Sequence, residues 1–231
     1  MFTTAIVPAA GTGSRFGSGT NKVFHLIGGR PILARVLEIL EAAESVDEII
    51  VVLRDADKAA ATALIEKYDI TKAGKTAKGG LTRQESVHNA LRLIDNKDSA
   101  VMIHDAARPF LSQGLILSTL QSLDGCDGVV SAVPLKDTIK EVSGGFVVKT
   151  LRRDTLAAVA TPQAFRYETL YGAYERAAAE GLNFTDDTSA VEHYGGKIRI
   201  IPGNYKNIKI TTQEDIAFAD YLLSEKRHAK E

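Results

Sequence analysis

Residues 8–22 read PAAGTGSRFGSGTNK, a glycine-rich stretch that carries two cations, Arg15 and Lys22. It follows the apolar run TTAIV, which reads as a buried strand. Glycines let backbone N–H groups approach phosphate oxygens closely. Cations stabilise the charge that grows during phosphoryl or nucleotidyl transfer. The stretch therefore points to a phosphate-binding loop, although a solvated surface loop carries the same residue types. Two familiar phosphate loops do not fit. The dinucleotide fingerprint G-x-G-x-x-G is met at Gly11 and Gly13, but Phe16 occupies its third position and the next helix begins only near Pro31. A Walker loop needs G-x-x-x-x-G-K-[ST], a spacing that Gly17, Gly19 and Lys22 lack.

Three further clusters carry chemistry. In MIHDAARP, residues 102–109, Asp105 falls just past the apolar VMI. A carboxylate there suits Mg²⁺ shared with substrate phosphates. Arg108 is a planar donor for phosphate or a polar substrate. The same two residues also suit a helix N-cap beside a surface arginine, and His104 reads as a satisfied, partly buried histidine. In GGLTRQES, residues 79–86, two glycines let the backbone approach a flat ligand, and Ser86 suits the edge of a base. Thr82 and Glu85 have the spacing of a capping box, which accounts for that segment without a ligand. In NIKIT, residues 207–211, Lys209 stands between two isoleucines and is expected on the opposite face of a late strand from them. The solvent face of an edge strand reads the same way. The five histidines, His25, His88, His104, His193 and His228, show no zinc-ligand spacing.

These clusters need a scaffold that brings them to one place. Apolar runs alternate with amphipathic stretches. TAIVP, DEIIVVL, SAVMIH and DGVVSAVP read as buried strands, separated by helical patterns such as PILARVLEILEAA and TRQESVHNALRLI. Short β-branched strands between helices predict a mostly parallel sheet covered on both faces. Right-handed crossovers then set the strand-end loops on one edge, where such folds bind ligands. The alternation breaks after Pro134. Residues 135–157 hold two strand-like pieces around Ser143-Gly144-Gly145, a hairpin signal. An isolated hairpin is marginal in water, so this one is expected to pack on something, another subunit included. KIRIIP and NIKIT read as the last strands, and QEDIAFADYLLSEK as a closing helix. One domain is expected over residues 1–231, with a projecting β-arm at 135–157.

The composition excludes some classes. With 28 Lys and Arg against 29 Asp and Glu, the formal net charge is −1, so no basic field invites nucleic acid. Cys126 is the only cysteine, which rules out an internal disulfide. No apolar run reaches the length of about 18 residues that a membrane span needs. MFTTAIVPAAG reaches its glycines too soon for a secretion signal. A cytoplasmic location is expected, without membrane association.

Taken in order, AIVPAAGTGSRFG, GGLTRQESVHNAL, VMIHDAARPF, AVPLKDTIKEV, ATPQAF, TDDTSAVEHYGG and NIKITTQEDIAFA resemble the 2-C-methyl-D-erythritol 4-phosphate cytidylyltransferase family. The resemblance covers nearly the whole chain. It implies a Rossmann-like α/β nucleotidyltransferase fold whose arm exchanges in a homodimer. It implies an enzyme of isoprenoid precursor biosynthesis that joins CTP and 2-C-methyl-D-erythritol 4-phosphate, releasing pyrophosphate, with Mg²⁺ or another divalent cation. Carried over residue by residue, it makes Arg15, Lys22 and Lys209 the cations around the α-phosphate and Asp105 the metal ligand. The nucleotide falls to Ala9, Ala10, Gly11, Gly13, Gly80 and Ser86. The polyol phosphate falls to Arg108, Thr161 and Thr185, with Thr138 and Arg153 coming from the partner's arm. Family members often carry Pro-Lys-Gln where this chain has Asn21-Lys22-Val23, and Arg152 adjoins Arg153 in the arm. Two other readings stand beside this one: a cytidylyltransferase for a different polyol phosphate, such as ribitol 5-phosphate, and a non-catalytic nucleotide-binding protein.

Overall fold

The computed structural model describes residues 1–11 and 21–228. In chain order its elements are β1 (Thr3–Pro8), β2 (Leu26–Ile27), β3 (Arg30–Pro31), α1 (Ile32–Glu41), β4 (Glu48–Leu53), α2 (Lys58–Lys67), β5 (Lys75–Lys78), α3 (Arg83–Leu91), β6 (Ala100–Ile103), α4 (Gln113–Gln121) and β7 (Gly128–Pro134). Then follow β8 (Lys140–Ser143), β9 (Phe146–Thr150), β10 (Ala157–Arg166), α5 (Tyr167–Glu180), α6 (Asp187–His193), β11 (Ile198–Pro202) and α7 (Glu214–His228). Seven strands form one sheet in the order β11-β7-β10-β6-β1-β4-β5. Every neighbouring pair in it is parallel except those of β10, which runs antiparallel to both β6 and β7.

The twofold alternation of side chains splits the core. Ala5 and Val7 of β1, Ile49, Val51 and Leu53 of β4, and Met102 of β6 face one layer, where they meet α1, α2 and α4. Ile6, Ile50, Val52, Val101 and Ile103 face the other, against α3, α5 and α6. Strands buried on both faces need apolar residues at successive positions, which is why they read as continuous β-branched runs. A third cluster, with Ile27, Phe110, Ile210 and Leu222, packs the small β2–β3 hairpin and α7 beside the main core.

The expected alternation, capping and arm are present, with three differences. The strand β10 was not foreseen. Pro162 sits inside it, which ordinarily argues against a central strand. The register shifts between Ala160 and Gln163, so Thr161 and Pro162 leave the ladder where proline has no N–H to give. NIKIT is not a strand: residues 207–211 pair with no strand among the described residues, and their backbone groups serve loops instead, Ile210 N–H donating to Ala107 O at 2.9 Å. The β2–β3 hairpin also went unread, although Gly28 and Gly29 turn it at φ 51° and 76°. In the arm, β8 and β9 pair antiparallel as a separate two-stranded sheet, turned by Gly144 and Gly145 at φ 56° and 84°. All nine strand residues of the arm are exposed. No helix of the described residues is long and apolar enough to cross a membrane.

Candidate active site

Parallel strands deliver their following loops to one edge, and each loop leaves from a fixed point. Ala9 N–H still bonds Val52 O at 2.9 Å, Gly79 N–H bonds Leu53 O at 2.8 Å, and His104 N–H bonds Ile6 O at 3.0 Å. A cavity of about 400 Å³ opens between these loops, within the size range of small-molecule sites. Ala9, Ala10, Gly11 and Lys22 line it from the glycine loop. Arg83 and Ser86 line it from the start of α3, and Asp105 and Lys209 from two later loops.

Among the described residues that line it, Asp105 is the only carboxylate, and it is 7% exposed. Three cations face it: Lys209 Nζ at 2.9 Å, Arg108 Nε at 3.3 Å and Arg83 Nε at 3.5 Å. Burial alone would raise its pKa. Lys209, Arg83 and Arg108 outweigh that penalty and hold the carboxyl well below the ordinary range. The loop behind it is fixed by a buried chain of hydrogen bonds. Asp105 N–H donates to Thr161 Oγ1 at 3.0 Å, and Thr161 Oγ1 lies 3.2 Å from His104 Nδ1. His104 Nε2 lies 3.0 Å from Arg108 O, an acceptor, so Nε2 carries the proton and Nδ1 accepts from Thr161. Burial pushes His104 down to about 4, so the ring stays neutral.

Two site residues were not singled out from the sequence, Arg83 and Asp187. Thr82 caps α3 by accepting Glu85 N–H at 3.1 Å, which sets Arg83 at the first helical position, facing the cavity. Its Nη2 donates to Asp187 Oδ2 at 2.7 Å. Asp187 is fully buried and also accepts from Tyr174 Oη at 2.5 Å. Burial opposes charge on Arg83, but Asp187 and Asp105 together overcome it and raise its pKa. The usable signal was the doubled acid of TDDTS: Asp186 caps α6 through Ser189 N–H at 3.1 Å, which leaves Asp187 without a capping role.

Lys22 opens a short 3₁₀ turn, Lys22–Phe24, and its Nζ donates to Ile210 O at 2.8 Å. Two lysines far apart in sequence, Lys22 and Lys209, thus converge on one wall. Lys209 does project away from the buried Ile210, toward Asp105, although no strand places it. Gly80 adjoins the cavity, its N–H donating to Ser86 Oγ at 3.0 Å, while Ser86 Oγ donates to Thr82 O at 2.8 Å. A Cβ on Gly79 would stand 2.4 Å from Ala10 Cβ, so glycine there lets the second loop close against the first.

The remaining expected residues lie elsewhere. Arg108 turns away from this cavity and donates to Asn207 O at 2.8 Å, bordering a second cavity of about 230 Å³ with Ala132, Ala160 and Tyr205. Thr161 is buried behind Asp105. Thr185 is exposed just before Asp186 and Asp187. Thr138 and Arg153 are exposed at the base of the arm, where Arg153 Nη1 donates to Lys136 O at 2.5 Å and Arg152 pairs with Asp154 at 3.5 Å. Gly13 and Arg15 lie outside the described residues.

Known proteins are similar to this chain along nearly its full length. A protein named 2-C-methyl-D-erythritol 4-phosphate cytidylyltransferase from Geotalea uraniireducens is 42% identical over 226 residues, 96% of this chain and 97% of that protein. One of the same name from Halalkalibacterium halodurans is 40% identical over 96% of this chain and 97% of its own. The crystal structure of 4-diphosphocytidyl-2C-methyl-D-erythritol synthase from Anaerococcus prevotii superposes with a TM-score of 0.85 at 35% identity, covering 96% of both chains. The family model of 2-C-methyl-D-erythritol 4-phosphate cytidylyltransferase matches residues 3–225. By sequence and by fold alike, the chain belongs to this family of nucleotidyltransferase enzymes.

Proposed function

We propose that this chain joins CTP and 2-C-methyl-D-erythritol 4-phosphate, giving 4-diphosphocytidyl-2-C-methyl-D-erythritol and pyrophosphate for isoprenoid precursor biosynthesis. The observation that carries this reading is the convergence of Lys22, Lys209 and Asp105 on one cavity at the strand-end edge of a family fold. An oxygen of the substrate phosphate attacks the α-phosphorus of CTP. That P–O bond forms as the bond to the bridging oxygen breaks, and pyrophosphate leaves with the bonding pair. A phosphate monoester loses its second proton near pH 6, so the nucleophile is already anionic and needs no strong general base. The chain's task is to bring anions together and to stabilise charge at the α-phosphorus. Lys22 and Lys209 serve that task with Arg15.

In this reading Ala9, Ala10, Gly11, Gly13, Gly80 and Ser86 receive the nucleotide. Arg108, Thr161 and Thr185 receive the polyol phosphate, and Thr138 and Arg153 reach it from a partner's arm in a homodimer. Thr161 gives its one hydroxyl hydrogen to His104 and accepts Asp105 N–H, so the lone pair it keeps suits a hydroxyl of the polyol rather than the phosphate. Among the described residues no group of three or more His, Cys, Asp or Glu could hold a metal unaided. A single carboxylate fits Mg²⁺, which keeps several waters and takes one or two carboxylates together with substrate phosphates. Asp105 would hold it, and the ion would supply charge neutralisation to the triphosphate. Release of pyrophosphate from CTP, measured with each polyol phosphate in turn, tests the assignment. Release with 2-C-methyl-D-erythritol 4-phosphate is expected. Release with ribitol 5-phosphate alone reassigns the substrate, and release with neither removes the catalytic reading.

A further inference from the structure

Both ends of the glycine loop meet on one side chain. Asn21 follows the loop and is 2% exposed. Its Nδ2 donates to Ala9 O, where β1 has just ended, at 2.7 Å, and to Asp57 Oδ2 at 2.9 Å. Its Oδ1 accepts Val23 N–H at 3.3 Å and so caps the turn that begins with Lys22. These partners admit one orientation of the amide. Reversed, the oxygen would face two acceptors and the NH₂ group would face an N–H. Asp57 is itself fixed by Arg54, whose Nε and Nη2 donate to it at 2.7 and 2.9 Å. Arg54 directly follows β4. The anchor of the loop is therefore referred to two central strands.

We infer that Asn21 is a positioning residue for Lys22: it clasps the loop's two ends and sets the backbone from which Lys22 reaches Ile210 O, one residue from Lys209. Lysine has a flexible four-carbon stem, so the place of its ammonium depends on how firmly its Cα is held. Charge stabilisation at a reacting phosphorus is sensitive to displacements of about 1 Å. The inference rests on the role proposed for Lys22 above and adds a residue of the same cavity wall whose amide donors are already taken by Ala9 O and Asp57 Oδ2. Removing Asn21 also strands Ala9 O and Val23 N–H in a buried place, so stability falls whatever its role, and stability alone cannot decide the matter.

A double-mutant cycle decides it. Wild type, Asn21→Ala, Lys22→Ala and the double variant are compared by pyrophosphate release at saturating CTP and by melting temperature. Asn21→Ala is expected to lower kcat on the order of tenfold or more. In the Lys22→Ala background the same change is expected to alter kcat by less than about twofold while lowering the melting temperature as before. Losses that multiply in the double variant overturn the inference, because Asn21 would then act independently of Lys22. A near-normal Asn21→Ala beside a slow Lys22→Ala overturns the inference alone. A near-normal Lys22→Ala overturns the assignment of Lys22, and this inference with it. Should Asn21→Ala fail to fold, Asn21→Ser takes its place in the same cycle, since serine keeps an acceptor for Val23 N–H and loses both amide donors.

Discussion

Asp105 has two claims on it, and they make opposite demands. Three cations already neutralise it, yet the proposed metal needs its charge. An entering triphosphate would resolve the conflict by drawing Lys209, the most exposed of the three, toward its own oxygens. Magnesium should therefore strengthen CTP binding in wild type and do so less in Asp105→Asn. Affinities measured with and without Mg²⁺ check this, and an equal metal response in both proteins takes Asp105 out of the metal site. His104 makes a separate prediction, on stability. On acidification the histidine of the unfolded chain protonates near pH 6.5, whereas the buried one holds off until about 4. Between those values the unfolded state binds more protons, so stability falls as pH drops, by about 3 kcal/mol across the window. His104→Gln should lose less between pH 7 and pH 4.5 in denaturant titrations; an equal loss would mean that the ring is not what titrates. Asp105 works in a lower window, its contribution being present above about pH 3.9 and lost only as pH falls further. At this scale the sequence announced residue types but not pairings. Asn21 read only as a departure from the family's proline. Its φ of −63° is the value a proline would impose, and its side chain adds hydrogen bonds that a proline lacks.

Elements that could be read from the sequence were those whose periodicity reports burial directly. β1, β4 and β6 carry unbroken apolar runs at residues 5–7, 49–53 and 100–103 because both their faces are covered there, and Thr82 with Glu85 marked the start of α3. Glu85 does reach back, though to Leu81 N–H at 2.7 Å rather than to the cap residue's own. What escaped was tertiary in origin. β10 is a strand because β6 and β7 each offer it an edge, and no local pattern around Pro162 encodes that. Asn207–Thr211 has a strand's alternation, but its backbone groups are taken by loops, and Asn207 Nδ2 adds a bond to Thr161 O at 2.8 Å. Arg83 and Asp187 are 104 residues apart and join α3 to α6. Their pairing was hidden because the acid looked like one more capping residue. Asp187→Ala leaves Arg83 facing a cavity wall without its nearest acid and leaves Tyr174 Oη unpaired in the core. Breaking a buried pair from one side costs about 3–5 kcal/mol, and the partial exposure of Arg83 points to the lower end. Urea unfolding of Asp187→Ala should show that loss; a change below about 1 kcal/mol would mean the tether is slack.

Across the whole molecule the arm stands out, because all nine of its strand residues are exposed. Its strand residues Val142, Phe146, Val147 and Val148 are 65%, 79%, 60% and 57% exposed, with the paired Val142 and Val147 on one face and Phe146 and Val148 on the other, on a two-stranded hairpin that has little stability of its own. At its base Thr138 and Arg153 face solvent, outside both cavities beside Asp105. A twofold interface answers both facts at once. It would cover the apolar strands and would carry the arm's arginine to the neighbouring site, where a bidentate guanidinium suits a phosphate. Each site would then take Lys22 from one subunit and Arg153 from the other. The expectation is tested by mixing Arg153→Ala protein with Lys22→Ala protein under conditions that let subunits exchange. Each parent should be nearly inactive. A heterodimer has one site that lacks both residues and one that lacks neither, so random exchange of equal amounts should restore roughly a quarter of wild-type activity. Exchange that is confirmed by mass but restores nothing means that the arm serves its own subunit or that Arg153 is the wrong arginine. Repeating the mixture with Arg152→Ala separates those two outcomes, because a shared site needs only one of the neighbours and an unshared site is restored by neither.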